Sequence, residues 1–142
     1  MKSYLIILSI LLMFGCSSDD SKPTTNTSLI GKWKLIEQYF DPGDGSGDFQ
    51  TVESQRIIEF FNDETVKING DFCFMSSEIG DVETGVFTVT SDEVSDTTFD
   101  GEITPDTCGS GNVKVFFNLQ ANGSLVLWFS CIEGCAQKFK KI

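Results

Sequence analysis

Histidine is absent from all 142 residues, and the cysteines are the most reactive side chains that remain. Without histidine the chain cannot build a Ser-His-Asp triad, a Cys-His pair or a His-ligated metal site. The chemistry open to the thiols is attachment of a lipid, pairing as disulfides or binding of a metal. The five cysteines are Cys16, Cys73, Cys108, Cys131 and Cys135.

Carboxylates offer the remaining route to hydrolysis, and Glu37 with Glu59 is the type of pair that it needs. One carboxylate would have to stay protonated and both would have to face a cleft. Strand parity places Glu37 on the same face as Trp33, unless a bulge turns it to solvent. Since no spacing establishes such a pair, we predict that the protein is not an enzyme and has no cofactor, metal ligand or catalytic residue.

The first sixteen residues have the layout of an export signal. Lys2 is followed by the uncharged, mostly apolar run 4–14, then by Gly15 and Cys16. The run is shorter than the roughly 20 apolar residues that a membrane-spanning helix needs. The Gly-Cys ending resembles a lipobox, which implies a signal peptide over 1–15 and a lipoprotein that carries diacylglycerol and palmitate on Cys16. The alternative is an ordinary secreted protein whose Cys16 joins a disulfide.

Residues 16–28 are polar and are expected to form a flexible tether behind the lipidated cysteine. Asp19 and Asp20 resemble the surface-export signal of a class of Gram-negative lipoproteins. This resemblance implies a lipid-anchored protein of the outer membrane, exposed at the cell surface. The alternative is a solvated acidic linker.

The charge of the chain argues against polyanionic partners. Lys2 is the only charged residue before Cys16, so nine basic and 21 acidic side chains remain after it, a net charge of −12. Nucleic acid is therefore not expected as a partner, and an anionic bilayer should repel the domain as a whole. The length favours one domain, which we expect to be monomeric.

The domain over 29–142 is predicted to be all-β. Its apolar residues alternate with a period of two, and Gly, Asn and Asp interrupt them at short intervals. Eight short strands joined by short turns favour an eight-stranded up-and-down antiparallel barrel. The predicted strands are 31–40, 54–61, 65–74, 83–90, 96–103, 112–119, 124–131 and 136–142.

Gly31 and Trp33 form a G-x-W pattern at the start of the first strand. With segments 29–35, 41–47 and 131–135, this pattern resembles the lipocalin-like domain of small bacterial lipoproteins. The resemblance implies that Trp33 plugs one end of the barrel.

The same resemblance implies a basic residue of the last strand packed over Trp33. Lys138 and Lys140 are the candidates in this sequence.

Four cysteines remain once Cys16 carries lipid, and three pairings are possible. Cys131 and Cys135 flank a three-residue turn, where facing Cα atoms come within disulfide range. We therefore predict disulfides Cys131–Cys135 and Cys73–Cys108. A zinc site with four cysteine ligands is the alternative, but the spacing contains no C-x2-C pair and the compartment is oxidising.

An acidic, glycine-rich loop over 41–48 offers several oxygens to Ca²⁺. The EF-hand pattern fails twice, since Phe49 stands where Gly is required and Gln55 where a bidentate Glu is required. A solvated surface loop is the preferred interpretation.

Two functions remain after these exclusions. The first is binding of a small apolar ligand within the barrel, and the alternative is a surface interaction module for protein or glycan with a filled barrel. Alternating strand directions gather the long loops and the disulfide cysteines at the end opposite Trp33, which predicts an open mouth there. The predicted ligand-binding residues are the aromatic side chains Tyr39, Phe40, Phe74, Trp128 and Phe129.

Overall fold

The structure is a computed structural model that describes residues 28–90, 98–109 and 113–142. These residues form an antiparallel sheet whose strands follow the alternation of apolar and polar side chains. The strands are β1 (Gly31–Phe40), β2 (Asp48–Thr51), β3 (Ile57–Phe60), β4 (Thr65–Asn69), β5 (Val82–Val89), β6 (Gly101–Pro105), β7 (Val115–Leu119), β8 (Ser124–Phe129) and β9 (Cys135–Lys141).

The sheet closes on itself, because β1 pairs with β9 as well as with β2 and β3. From β3 to β9 each strand pairs with the next one along the chain, so the topology is that of an up-and-down barrel. The predicted fold class is confirmed: the protein is a closed eight-stranded antiparallel barrel of lipocalin-like topology, with β2 as one extra strand.

Sequence analysis missed β2, which lies beside the second half of β1 while β3 lies beside the first half. The backbone follows β1 between these two strands, since Val52 N donates to Ile36 O and Leu35 N donates to Arg56 O, both at 3.0 Å. Strands β2 and β3 are thus one path along β1, interrupted at 52–56.

Strand β4 ends at Asn69, so the predicted strand 65–74 is too long. Gly70 follows with a φ of +150°, a backbone conformation that side chains disfavour. Among the described residues β2 consequently pairs with β1 alone.

A β-bulge in β1 decides which side chains face the interior. Leu35 lies opposite Phe139, but the next pair is Glu37 with Lys138, so Ile36 is the extra residue. Because successive side chains alternate between the two faces, this one residue turns Glu37 and Tyr39 outward. Strand parity alone had placed Glu37 with Trp33, and the structure corrects this.

The interior holds large apolar side chains from every wall of the barrel. Phe60 contacts the rings of Phe87 and Phe117 edge-on, with centroids 5.1 and 5.9 Å apart. The fully buried aromatic side chains are Trp33, Phe60, Phe72, Phe87, Phe117 and Phe139. Gly101 makes room for this packing, because a Cβ there would collide with the ring of Phe117 and with Thr88 O.

Trp33 lies in the interior at the end where β1 begins, and we call this the Trp33 end. Its Nε1 donates to Leu29 O at 2.8 Å. The cation over its ring is Lys141, with Nζ 5.2 Å from the centroid, and not Lys138 or Lys140 as the resemblance implied.

The signal segment 1–15, Cys16 and the tether up to residue 27 lie outside the described residues, as does the loop over 91–97. Within the ranges that the structure describes, no helix is long and apolar enough to cross a membrane.

Candidate functional site

The far end of the barrel, which we call the loop end, is covered by the segment 70–81. Phe72 from this segment is fully buried in the core. Two side chains of the barrel bind its backbone. Ser54 Oγ donates to Ser77 O and Gln137 Nε2 donates to Ser76 O, each at 2.6 Å. The predicted open mouth is therefore occupied by the chain's own backbone.

Arg56 anchors the same segment from inside the barrel. Its side chain is fully buried, Nη1 donates to Glu78 O at 3.2 Å, and Nη2 donates to Asp71 O. Burial lowers the pKa of the guanidinium, while the carboxylates of Asp71 and Glu83 act in the opposite direction. Gly70 packs against Arg56, since a Cβ there would lie 2.8 Å from Nη1.

Both predicted disulfides are present at the loop end. Cys73–Cys108 joins the covering segment to the connection after β6, and Cys131–Cys135 closes the turn between β8 and β9. Ile132, 99% exposed, stands at the tip of that turn. A shallow groove of about 410 Å³ lies between this turn and Phe40.

The structure does not gather the five predicted ligand-binding residues around one interior pocket. Phe40 and Phe74 are 66% and 71% exposed at the loop end, and Phe129 is buried in the core. Tyr39 and Trp128 do meet, with ring centroids 6.3 Å apart, but they meet on the outer wall. The bulge at Ile36 explains the position of Tyr39.

Tyr39 and Trp128 belong to a row of aromatic side chains that crosses the outer wall at one level. The register pairs Phe49 with Tyr39, Tyr39 with Ala136, Ala136 with Trp128, and Trp128 with Phe116. At about 4.8 Å between neighbouring strands, the four steps from β2 to β7 span about 19 Å. We call Phe49, Tyr39, Trp128, Phe116 and Phe99 the aromatic row.

Neighbouring rings of the aromatic row are in contact. Tyr39 lies 5.4 Å from Phe49, and Phe99 lies 6.4 Å from Trp128 and 4.8 Å from Phe116, on which it stacks. Ala136 is fully buried beneath, and its small side chain lets the rings of its two neighbours lean together. The rings are half-buried, so each still presents part of its surface to solvent.

Alternation along the predicted strand 96–103 places Phe99 on an inward position, as it does Phe72, Phe87, Phe117 and Phe139 in their predicted strands. The other four are buried in the core, but Phe99 precedes β6 and stacks on the outward Phe116. Strand parity does not extend to a residue outside the strand, and this is why the sequence misassigned it.

Polar groups border the aromatic row. Trp128 Nε1 donates to Asn118 Oδ1 at 3.0 Å, and Asn118 Nδ2 donates to Thr98 O at 2.8 Å. At the other end of the row, Lys138 Nζ lies 4.0 Å from the centroid of Phe49 and forms an ion pair with Glu37. The row thus combines apolar ring faces with oriented hydrogen-bonding groups.

The carboxylates weighed for catalysis are ion-paired on the outer wall. Glu37 pairs with Lys138, and Glu59 pairs with Lys67 at 3.0 Å. The two carboxylates therefore do not flank an interior cleft.

The acidic loop 41–48 uses its carboxylates to order its own backbone. Asp41 Oδ1 accepts from Gly43 N at 2.8 Å and Gly45 N at 3.1 Å, and Asp44 Oδ1 accepts from Ser46 N at 2.9 Å. The bond from Gly43 N is the main reason that the pKa of Asp41 lies below its usual value. The arrangement is that of an ordered surface loop.

Asp71, Cys73 and Glu83 place one ligand-type atom each within 4.8 Å of one another. Cys73 is disulfide-bonded, and Glu83 Oε2 accepts from Phe72 N at 2.8 Å. Asp71 Oδ1 accepts from the backbone N–H of Cys73 and Phe74. The cluster therefore stabilises the covering segment.

Comparison with protein-family models, with curated proteins and with solved structures found no match for this chain.

Proposed function

We propose that this chain is a lipid-anchored protein of the outer membrane whose filled barrel is a scaffold for a recognition surface on its outer wall. The observation that carries the proposal is that the protein's own side chains occupy the interior of the barrel. An eight-stranded barrel is just wide enough to hold one small ligand or to be filled by its own side chains. Here six aromatic side chains are fully buried inside it, and segment 70–81 covers the loop end.

A small apolar ligand inside the barrel is less well supported. Such a ligand would have to displace Phe72 and break the hydrogen bonds by which Arg56 and Gln137 hold the covering segment. Leaving these buried groups without partners costs about 1–3 kcal/mol each.

A cavity-forming variant tests whether the barrel is filled. We expect neither benzene nor a panel of lipids and haem-like ligands to raise the melting temperature of the wild type. Phe117→Ala removes a buried ring and should create an apolar cavity, so saturating benzene should stabilise that variant.

The smaller truncation Phe87→Leu provides a second cavity if Phe117→Ala does not fold. Phe74→Ala is the matched control, because its ring is exposed. Saturable stabilisation of the wild type by any member of the panel would contradict the proposal.

The recognition surface that we propose is the aromatic row, and the partner is a linear glycan. Sugar C–H groups carry partial positive charge and stack on the negative faces of aromatic rings. The row is one ring wide and about 19 Å long across the curved wall. A protein partner commonly covers about 800 Å² on each side, which a strip of this shape does not supply.

The fluorescence of the two tryptophans distinguishes binding at the outer wall from changes in the core. Trp33 is buried, whereas Trp128 is half-buried in the row. Binding of a soluble polysaccharide should therefore protect only Trp128 from quenching by acrylamide.

A glycan array identifies the polysaccharide for that measurement. Trp128→Ala should weaken binding of that polysaccharide about tenfold. Stacking on aromatic platforms that bind nucleobases contributes about 1–3 kcal/mol for each base, and a tenfold change lies in this range. Phe74→Ala is the control, because it removes an exposed ring outside the row. Failure of the folded wild type to bind any glycan, or equal binding by Trp128→Ala, would overturn this assignment and leave a protein partner as the candidate.

A further inference from the structure

The charge of this acidic chain is unevenly distributed around the Trp33 end. Five of its lysines lie on two neighbouring strands, β1 and β9, and we call them the lysine sector. They are Lys32, Lys34, Lys138, Lys140 and Lys141. The acidic residues that the structure describes in the turns of the same end lie outside this sector: Asp63 and Glu64 between β3 and β4, and Asp100 before β6.

Two of these lysines are direct cross-strand partners. Lys34 lies opposite Lys140, and like charges in this position are destabilising. The ion pairs of the described residues involve Lys67, Lys114 and Lys138, so no carboxylate neutralises Lys34 or Lys140. Two lysines that are cross-strand partners and form no ion pair offer positive charge to a phosphate or another anion.

A concavity of about 360 Å³ extends the lysine sector towards β8. Its lining combines three lysines with small residues at the start of β8 and in the turn before it. The lining residues are Ile36, Glu37, Asn122, Gly123, Ser124, Lys138, Lys140 and Lys141. Its one carboxylate, that of Glu37, is already neutralised by Lys138.

The lysine sector lies where the N-terminal segment joins the barrel. Lys141 Nζ donates to Ser28 O at 2.6 Å, and the 27 residues before Ser28 contain the predicted export signal and Cys16. If Cys16 carries lipid, a tether of twelve residues holds this sector within at most about 40 Å of the bilayer surface.

We propose that the lysine sector binds the phosphate groups of anionic lipid headgroups in the membrane that carries the anchor. The orientation at the membrane rests on the proposed lipidation of Cys16, whereas headgroup binding does not. The net negative charge of the domain predicts repulsion from an anionic bilayer, but electrostatic interactions are screened beyond about 8 Å at physiological ionic strength. A ten-residue strand spans about 33 Å, so the carboxylates of the loop end lie beyond that range.

Lysine acylation followed by mass spectrometry tests the proposal on the complete mature protein. The protein is reconstituted on vesicles of phosphatidylcholine alone or mixed with phosphatidylglycerol. With phosphatidylglycerol we expect Lys34 and Lys140 to react about fivefold more slowly each, and high salt should restore their reactivity. Lys114, which pairs with Glu102 between β6 and β7, is the internal control and should not change.

Matched variants separate this sector from the anchor. Lys34→Gln with Lys140→Gln should lower binding of the Cys16→Ser protein to phosphatidylglycerol vesicles about 25-fold, at about 1 kcal/mol for each lysine. Lys114→Gln should leave binding unchanged. The protein isolated from cells should float with vesicles of pure phosphatidylcholine. If it does not, the lipid anchor is refuted and the headgroup site is not. Equal acylation on both vesicle types, or equal slowing at Lys114, would overturn the headgroup site.

Discussion

Among the residues that the structure describes, Arg56 is the one buried cation, and its partners are backbone carbonyls. The guanidinium holds segment 70–81 through Asp71 O and Glu78 O, so it acts as an internal support for the cover of the loop end. From the sequence alone Arg56 is one more scattered basic residue. Its role depends on Gly70 and on the early end of β4, and neither of these is evident in the alternation pattern.

Arg56→Met should lower the free energy of unfolding by about 3 kcal/mol. The substitution removes the donor to the carbonyls of Asp71 and Glu78, and it removes the buried cation beside the carboxylates of Asp71 and Glu83. Urea unfolding measures the loss, and hydrogen exchange should show faster exchange over 71–78. Arg56→Lys keeps the charge but loses the planar guanidinium, so its free energy of unfolding should lie between those of the wild type and Arg56→Met. Unchanged stability of Arg56→Met would show that the segment is held by other contacts.

Ile36 shows how one residue changes the assignment of a site. Without the bulge, Tyr39 would share the inward face with Trp33, and the sequence analysis placed it among the ligand-binding residues at the end opposite Trp33. With the bulge, Tyr39 joins Phe49 and Trp128 on the outer wall. A bulge leaves little trace in a single sequence, because Ile36 is as apolar as its neighbour Leu35.

The two disulfides should differ in their contribution to stability, because they close loops of very different length. Cys73–Cys108 spans 35 residues and Cys131–Cys135 spans four. Loop-closure entropy gives about 4 kcal/mol for the longer loop and about 2 kcal/mol for the shorter one. The pair of variants Cys73→Ala with Cys108→Ala should therefore lower the denaturation midpoint about twice as much as Cys131→Ala with Cys135→Ala.

Urea titrations of the two double variants and of the wild type provide the comparison. A larger loss from the Cys131–Cys135 pair would show that this short hairpin stabilises the folded state by a means other than loop closure.

The strands were predictable where alternation and turn residues agree. Val66 and Ile68 alternate with polar residues in β4, and the turn containing Asn122 and Gly123 separates β7 from β8. The disulfide pairing followed from the same strand order. Strand β2 was missed because its sequence, Asp-Phe-Gln-Thr, contains one apolar residue and so has no alternation to detect. Hydrogen bonding to β1 and the contact of Phe49 with Tyr39 define it instead.

We assign separate roles to three regions of the molecule. Its interior provides stability, its outer wall carries the aromatic row, and its Trp33 end carries the lysine sector. Composition gave the net charge of the domain but not its distribution. The distribution depends on β1 and β9 being neighbours, and closure of the barrel determines that.

The lipid anchor is the prediction on which the position of the whole molecule depends. Metabolic labelling with a fatty-acid analogue should mark the wild type and leave Cys16→Ser unlabelled, because we propose the thiol of Cys16 as the attachment point. A variant with Cys131→Ser and Cys135→Ser is the control and should stay labelled. Equal labelling of Cys16→Ser would refute lipidation at this residue.

The pairing of β1 with β9 also determines when the barrel is able to form during biosynthesis. Trp33 pairs with Lys141, so β1 receives its last neighbour only after residue 141 has been made. Until then the nascent chain has an open sheet with β1 as an unpaired edge, and contacts of such long sequence separation form slowly. Closure of the barrel therefore follows the synthesis of β9, and a partly made chain that lacks β9 has no partner for this edge of β1.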